Sequence, residues 1–165
     1  MNTSSLVRTT IVAVVAFSCA GAVADAQRER KVDYPSGYRA WKHVKTMIIQ
    51  PGHPLEDPFG GIHHVYANEE AMNGLSNGQY SDGSVFVFDL LDYDDSDNLI
   101  VEAERKRIDV MQYNSRLFSE TGGWGFDTFI GDSKKERVKQ DVASACYSCH
   151  VSAKETNYVF SQYRP

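Results

Sequence analysis

Cysteine is scarce in this chain, three in 165 residues, and that scarcity excludes the disulfide-stapled class of small secreted domains. Cationic charge is short as well: 17 Lys and Arg against 22 Asp and Glu leave a formal net charge of −5, which argues against nucleic acid or an anionic membrane surface as partner. A small neutral or cationic ligand, or a basic protein partner, suits that balance better. Long hydrophobic runs are missing too. The apolar stretch at residues 11–17 is too short to cross a bilayer comfortably. There is no internal repeat and no low-complexity tract. What is present is 42% hydrophobic content, with 12% aromatic, enough for one domain whose core can also take a bulky apolar group.

Two of the cysteines stand in the run Cys146-Tyr147-Ser148-Cys149-His150. C-x-x-C-H is the attachment signature of a c-type haem: each thiol adds across one vinyl group to give a thioether, and the adjacent imidazole is placed to ligate the iron. Two other chemistries use paired cysteines. A thioredoxin-like dithiol wants a strand-to-helix turn early in an alternating β/α pattern, and zinc wants two further ligands at comparable spacing. Neither context surrounds this run. The sequence therefore predicts a cytochrome with one covalent haem c, bound through Cys146 and Cys149 and ligated by His150.

The N-terminus agrees with that chemistry. Arg8 precedes the apolar stretch, and small residues follow through Ala20-Gly21-Ala22-Val23-Ala24-Asp25-Ala26, the three-part layout of a secretory signal. Cleavage after Ala24 or Ala26 satisfies the small-x-small rule, and the boundary is set at Ala26. Cys19 makes a poor lipoprotein site with Phe17 and Ser18 before it, and it leaves with the signal. The expectation is a signal peptide over residues 1–26 and a haem-binding domain over 27–165. The mature protein is then periplasmic or secreted in a bacterium, with no insertion in a membrane.

Along the mature chain, Ser36 is read as the cap of a helix carrying Tyr38, Trp41, Val44, Lys45 and Ile48 at three-and-four spacing. Pro51-Gly52-His53-Pro54 ends it, and a loop runs on through Phe59-Gly60-Gly61. Residues 62–67 read as a strand. Asn68 caps a short helix with Glu69 and Glu70 in its first turn, limited by Gly74 and Gly78. Residues 84–91 form a second strand, and the acidic segment 92–98 a solvated hairpin loop without the spacing or glycine of a calcium loop. Residues 99–112 return as a strand, the Thr121-Gly122-Gly123 turn enters another ending near Ile130, and 134–145 is helical, delivering the C-x-x-C-H run. Tyr158-Val159-Phe160 packs the tail. The fold class is α+β, a mostly antiparallel sheet with peripheral helices around one haem.

The succession Gly37-Tyr38-Arg39-x-Trp41, Val65-Tyr66-Ala67-Asn68, Asp82-Gly83-Ser84-Val85-x-Val87, Thr121-Gly122-Gly123-Trp124-Gly125-Phe126, then Cys146-x-x-Cys149-His150 with Tyr158-Val159-Phe160-Ser161 behind it, resembles the cytochrome P-460 family, which includes the cytochromes c′-β. The resemblance implies an antiparallel β fold, a proximal histidine and a homodimer. In the hydroxylamine-oxidising members, a lysine closing the pattern Asp-Gly-x-Val-x-Val-Lys is crosslinked to the haem. Here that position is Phe88, which has no amine to offer. An aromatic there resembles the c′-β branch, in which two phenylalanines cap the open iron face; Phe59 is the matching second cap. Read without the family, both rings are ordinary core.

An iron faced by phenyl rings lacks a protein donor for water or anions, while NO or CO enters at a packing cost. The expected function is a gas-binding cytochrome, with a redox protein as a further partner. Three alternatives are kept. A hydroxylamine oxidase could crosslink through another lysine such as Lys106. An electron carrier would draw a sixth ligand from His43, His53, His63, His64, Met47, Met72 or Met111; His63 and His64, adjacent on a strand, face opposite ways. A peroxidase-like enzyme would use Glu104, Arg107 or Asp109 as its polar group. Lys154 and Arg164 are candidates for the haem propionates, and Trp41 and Trp124 for the core.

Overall fold

The computed structural model describes residues 31–165; the signal-peptide reading of residues 1–26, Cys19 included, lies outside the described residues. Five antiparallel strands form one sheet in sequence order: β1 (Lys42–Ile49), β2 (Gly61–Ala67), β3 (Val85–Ser96), β4 (Leu99–Tyr113) and β5 (Trp124–Ile130). Three short helices lie around it, α1 (Glu56–Phe59), α2 (Glu69–Asn77) and α3 (Val142–His150). The α+β expectation is met, and each strand is a hairpin neighbour of the next, the pattern that keeps connections short.

The sheet is apolar on both faces. One face gathers Val65, Ala67, Phe86, Met111, Trp124, Phe126 and Val159, with α2 and α3 against it. The other gathers Val32, Tyr38, Val87, Ile108, Val110, Phe118 and Phe129. Alternation along β3 explains the division: Phe86 and Phe88 point one way, Val85 and Val87 the other.

Three elements differ from the sequence expectation. The helix expected from Ser36 to Ile48 is instead a 3₁₀ turn, Tyr38–Ala40, followed by β1. Val44, Thr46, Ile48 and Ile49 are β-branched, and pairing with β2 decides the matter. A bulge between His43 and Lys45 breaks the two-residue alternation, which is why the apolar spacing imitates a helix. The acidic segment is not a loop. β3 runs to Ser96 and turns on two residues, Asp97 and Asn98, both left-handed at φ 53° and 62°, as a two-residue hairpin turn of the primed type requires. Pairing splays the carboxylates along and across the arm, so their repulsion is not concentrated.

The third difference is at residues 134–145. Only Val142 onward is helical, because the Asp141 side chain accepts from Ser144 N at 3.1 Å and starts α3 there. The preceding stretch runs beside β5, with Val138 N donating to Thr128 O at 3.0 Å and Arg137 over the Phe129 ring at 4.3 Å. Asn68 does what the sequence asks of it: its Oδ1 accepts from Ala71 N and from Val85 N, each at 3.0 Å, tying α2 to the start of β3. Gly78 ends α2 in the left-handed conformation. Gly74 does not end it; a Cβ there would stand 2.1 Å from the Tyr80 ring, so its role is close packing.

Candidate haem site

Strand register arranges the α3 side of the sheet into rows. Ala67, Phe86, Met111 and Phe126 are mutual partners across β2 to β5; Val65, Phe88, Asp109 and Thr128 form the next row, and His63, Leu90, Arg107 and Ile130 the third. The C-x-x-C-H run closes α3, which packs on β5. His150 stands beside the first row, its ring 5.0 Å from Phe126 and 5.0 Å from Phe160.

The imidazole is prepared as a ligand. Its Nδ1 lies 2.6 Å from Tyr158 O; a carbonyl only accepts, so Nδ1 carries the proton and the Nε2 lone pair is left for a metal. Burial holds the group below its usual pKa, in the neutral form a metal needs. The accepting carbonyl is itself fixed. Asn157 and Tyr158 are left-handed at φ 53° and 65°, Trp124 Nε1 donates to Asn157 O at 2.9 Å, and Asn157 Nδ2 donates to Gly78 O at 2.6 Å. Gly122 leaves room for the Tyr158 ring, which a Cβ would approach to 2.3 Å. Trp124 is fully buried, as a core residue should be; the sequence holds no signal for its hydrogen bond, since the partner is a backbone oxygen 33 residues away.

Cys146 is half-buried and Cys149 exposed, both free. They sit in the C-terminal part of α3, Cys149 in its last turn, whereas reactive dithiols use the positive N-terminal end of a helix to lower a thiol pKa. Burial pushes Cys146 up to about 11. The pair is thus unsuited to dithiol redox work and suited to attachment of an apolar group that one thiol meets inside and the other at the surface. Two thiols and an imidazole with a free Nε2 fit the chemistry of haem.

Phe59 and Phe88, 29 residues apart in sequence, come together around His63. The Phe59 ring is 6.3 Å from that imidazole and the Phe88 ring 6.0 Å, on the side of the rows away from His150. The segment carrying Phe59 is tethered by three groups: His63 Nε2 donates to Phe59 O at 2.5 Å, Lys106 Nζ donates to Gly60 O at 2.9 Å, and the Arg107 guanidinium lies 4.8 Å from the Phe59 ring centre.

This side is not uniformly apolar: the polar candidates Arg107 and Asp109 stand on it beside the two rings. Arg107 Nε donates to Asp109 Oδ2 at 3.0 Å, and Asp109 Oδ1 accepts from Thr128 Oγ1 at 2.5 Å. Asp109 stands beside Phe88 in register, and burial raises its pKa. Glu104, by contrast, is exposed on the arm. The sequence could not place Arg107 and Asp109 because two bulges between β3 and β4 spoil any count of alternation from the hairpin tip.

The other candidates disperse. His64 bonds Thr46 through Nδ1 at 2.8 Å, and Thr46 meets His43 Nε2 at 2.8 Å, both on the face opposite His63. His53 is exposed in the loop before α1. Met47, Met72 and Met111 belong to the site-face cluster, and Lys106 is engaged with Gly60 and with Asp92 at 3.3 Å. Lys154 and Arg164 are exposed; Arg164 lies near enough to Lys45 to help burial lower that lysine's pKa.

A family model described as Cytochrome P460 matches residues 35–161. The chain belongs to the cytochrome P460 family. It is therefore a haem protein of that family, and the matched residues take in the whole sheet, Phe59, Phe88 and the C-x-x-C-H run. Comparison with curated proteins returns no match.

Proposed function

We propose that this cytochrome P460 family member is a gas-binding protein of the c′-β kind. One haem c is attached through thioethers at Cys146 and Cys149, His150 Nε2 is the axial ligand, and Phe59 and Phe88 cap the opposite side, where NO or CO binds. A haem held there would supply an iron able to bind a gas; the chain supplies the imidazole of His150 in a fixed tautomer to hold it and the rings of Phe59 and Phe88 as bulk. The observation that carries this reading is the convergence of Phe59 and Phe88 on His63, at 6.3 and 6.0 Å, with a phenyl ring where the crosslinking lysine of the hydroxylamine-oxidising relatives is expected. His63 does not compete for the iron through Nε2, which already donates to Phe59 O.

A second reading, oxidation of hydroxylamine, draws on the Arg107–Asp109–Thr128 set beside Phe88. It lacks the amine at Phe88, and Lys106 is held elsewhere. Export after loss of residues 1–26, a homodimeric state and a basic redox partner matched to the net charge of −5 complete the proposal. Absorption spectra of the ferric, ferrous, CO and NO forms test it: an open site gives high-spin spectra that change on adding CO or NO. A strongly red-shifted Soret band would mark a crosslinked oxidase, and low-spin ligand-free spectra an electron carrier.

A further inference from the structure

We propose that the capped side of the haem site is also a receptor for a small weak-acid anion, of the size and chemistry of azide or nitrite, with Arg107 and His63 as the recognising pair. The inference rests on the haem placement given above and goes beyond gas binding. Its starting point is an imbalance of hydrogen bonds among the described residues. Arg107 gives Nε to Asp109 and lays its guanidinium over the Phe59 ring at 4.8 Å, with no hydrogen-bond acceptor on its two terminal amino groups among the described residues and a side chain 20% exposed. His63 is 1% exposed, and with Nε2 committed to Phe59 O its Nδ1 is a buried lone pair with no donor. Buried polar groups in folded proteins are normally satisfied, so the buried Nδ1 of His63, on the same row of the sheet as Arg107, is a position suited to a donor molecule.

A neutral diatomic satisfies neither group. A weak acid HX satisfies both: X⁻ accepts from the terminal amino groups of Arg107, and the proton goes to Nδ1 of His63, so the pocket takes up no net charge. Asp109 does not stand in the way, because both its oxygens are occupied, Oδ1 by Thr128 and Oδ2 by Arg107.

The test uses the haem-loaded mature protein. The ferric form is titrated with sodium azide and with sodium nitrite and followed by absorption, and the ferrous form separately with CO. Azide binding in the millimolar range or tighter is expected, weakened roughly tenfold or more by Arg107→Gln, as loss of a charge-assisted hydrogen bond implies. His63→Phe weakens it severalfold, and in both variants azide binding falls by more than CO binding, the ratio of the two separating loss of the anion contacts from displacement of the Phe59 segment that both residues tether. His63→Phe keeps the proposal testable should Arg107→Gln not fold. The inference is overturned, with the gas-binding reading intact, if CO binds but azide and nitrite leave the ferric spectrum unchanged, or if neither variant weakens azide more than CO. Loss of CO binding in the unaltered protein overturns that reading and this inference together.

Discussion

Two aspartate–arginine pairs lie on opposite faces of this sheet, and they are not equivalent. On the face away from α3, Asp89 is wholly buried and fully satisfied: Arg105 reaches it with Nε at 2.6 Å and a terminal nitrogen at 3.3 Å, Arg39 adds Nε at 3.3 Å, and Asp132 takes the other end of Arg105. On the α3 face, Asp109 takes one bond from Arg107 and one from Thr128, the terminal amino groups of Arg107 meet no acceptor among the described residues, and His63 on the same row keeps an orphan nitrogen. The same strands, β3 and β4, therefore hold a carboxylate shared by two guanidinium groups on one face, beside the Tyr38 hydroxyl, unpartnered among the described residues, and a carboxylate with a single guanidinium partner on the other. A shared buried carboxylate fixes structure; a single pair next to a cofactor site is available to a ligand.

Substitution at the two aspartates should separate those roles most sharply. Asp89→Asn leaves two guanidinium groups facing a neutral side chain and is expected to lose about 2–4 kcal/mol of stability by urea unfolding, discounted from a deeper pair because Arg39 is partly exposed. Asp109→Asn keeps an acceptor for Arg107 and a donor for Thr128, so the loss stays below about 1 kcal/mol while anion binding changes. Equal losses at the two positions would erase the distinction.

Trp124→Phe comes next. It removes the donor to Asn157 O and opens a gap, which should lower stability by about 1–3 kcal/mol. It should also weaken the iron–histidine bond, read as a lower iron–histidine stretching frequency in the ferrous protein. An unchanged frequency confines Trp124 to packing. Gly74→Ala, remote from both pairs, should lose about 1–3 kcal/mol through overlap with Tyr80, with the haem spectrum unaltered.

The smallest expected effect is on pH dependence. Burial depresses the folded pKa of His63 below its usual 6.5, so the stability it contributes is present above that value and is lost as pH falls below it, where the unfolded chain takes the proton first. His63→Phe should flatten part of the decline in melting temperature between about pH 7 and 5. A decline as steep in the variant would assign it to other groups.

Much of this was legible in the residues. The C-x-x-C-H run supplied the proposed anchor, alternation in 84–91 gave β3 and the direction of Phe86 and Phe88, and Asn68 announced α2. The departures come from bulges and from one cap. A bulge at His43 made β1 read as a helix, two more hid the direction of Arg107 and Asp109, and the start of α3 depended on Asp141 as a cap within a charged stretch. Contacts to backbone oxygens leave no mark in composition either, so the roles of Trp124 and of His63 Nε2 emerged only from the fold.

Electron paramagnetic resonance of the ferric, ligand-free, haem-loaded protein tests the central claim most directly. With His150 on one side and phenyl rings on the other, the account predicts a high-spin axial signal. A low-spin signal, showing that a side chain of the protein already holds the sixth position, would contradict it.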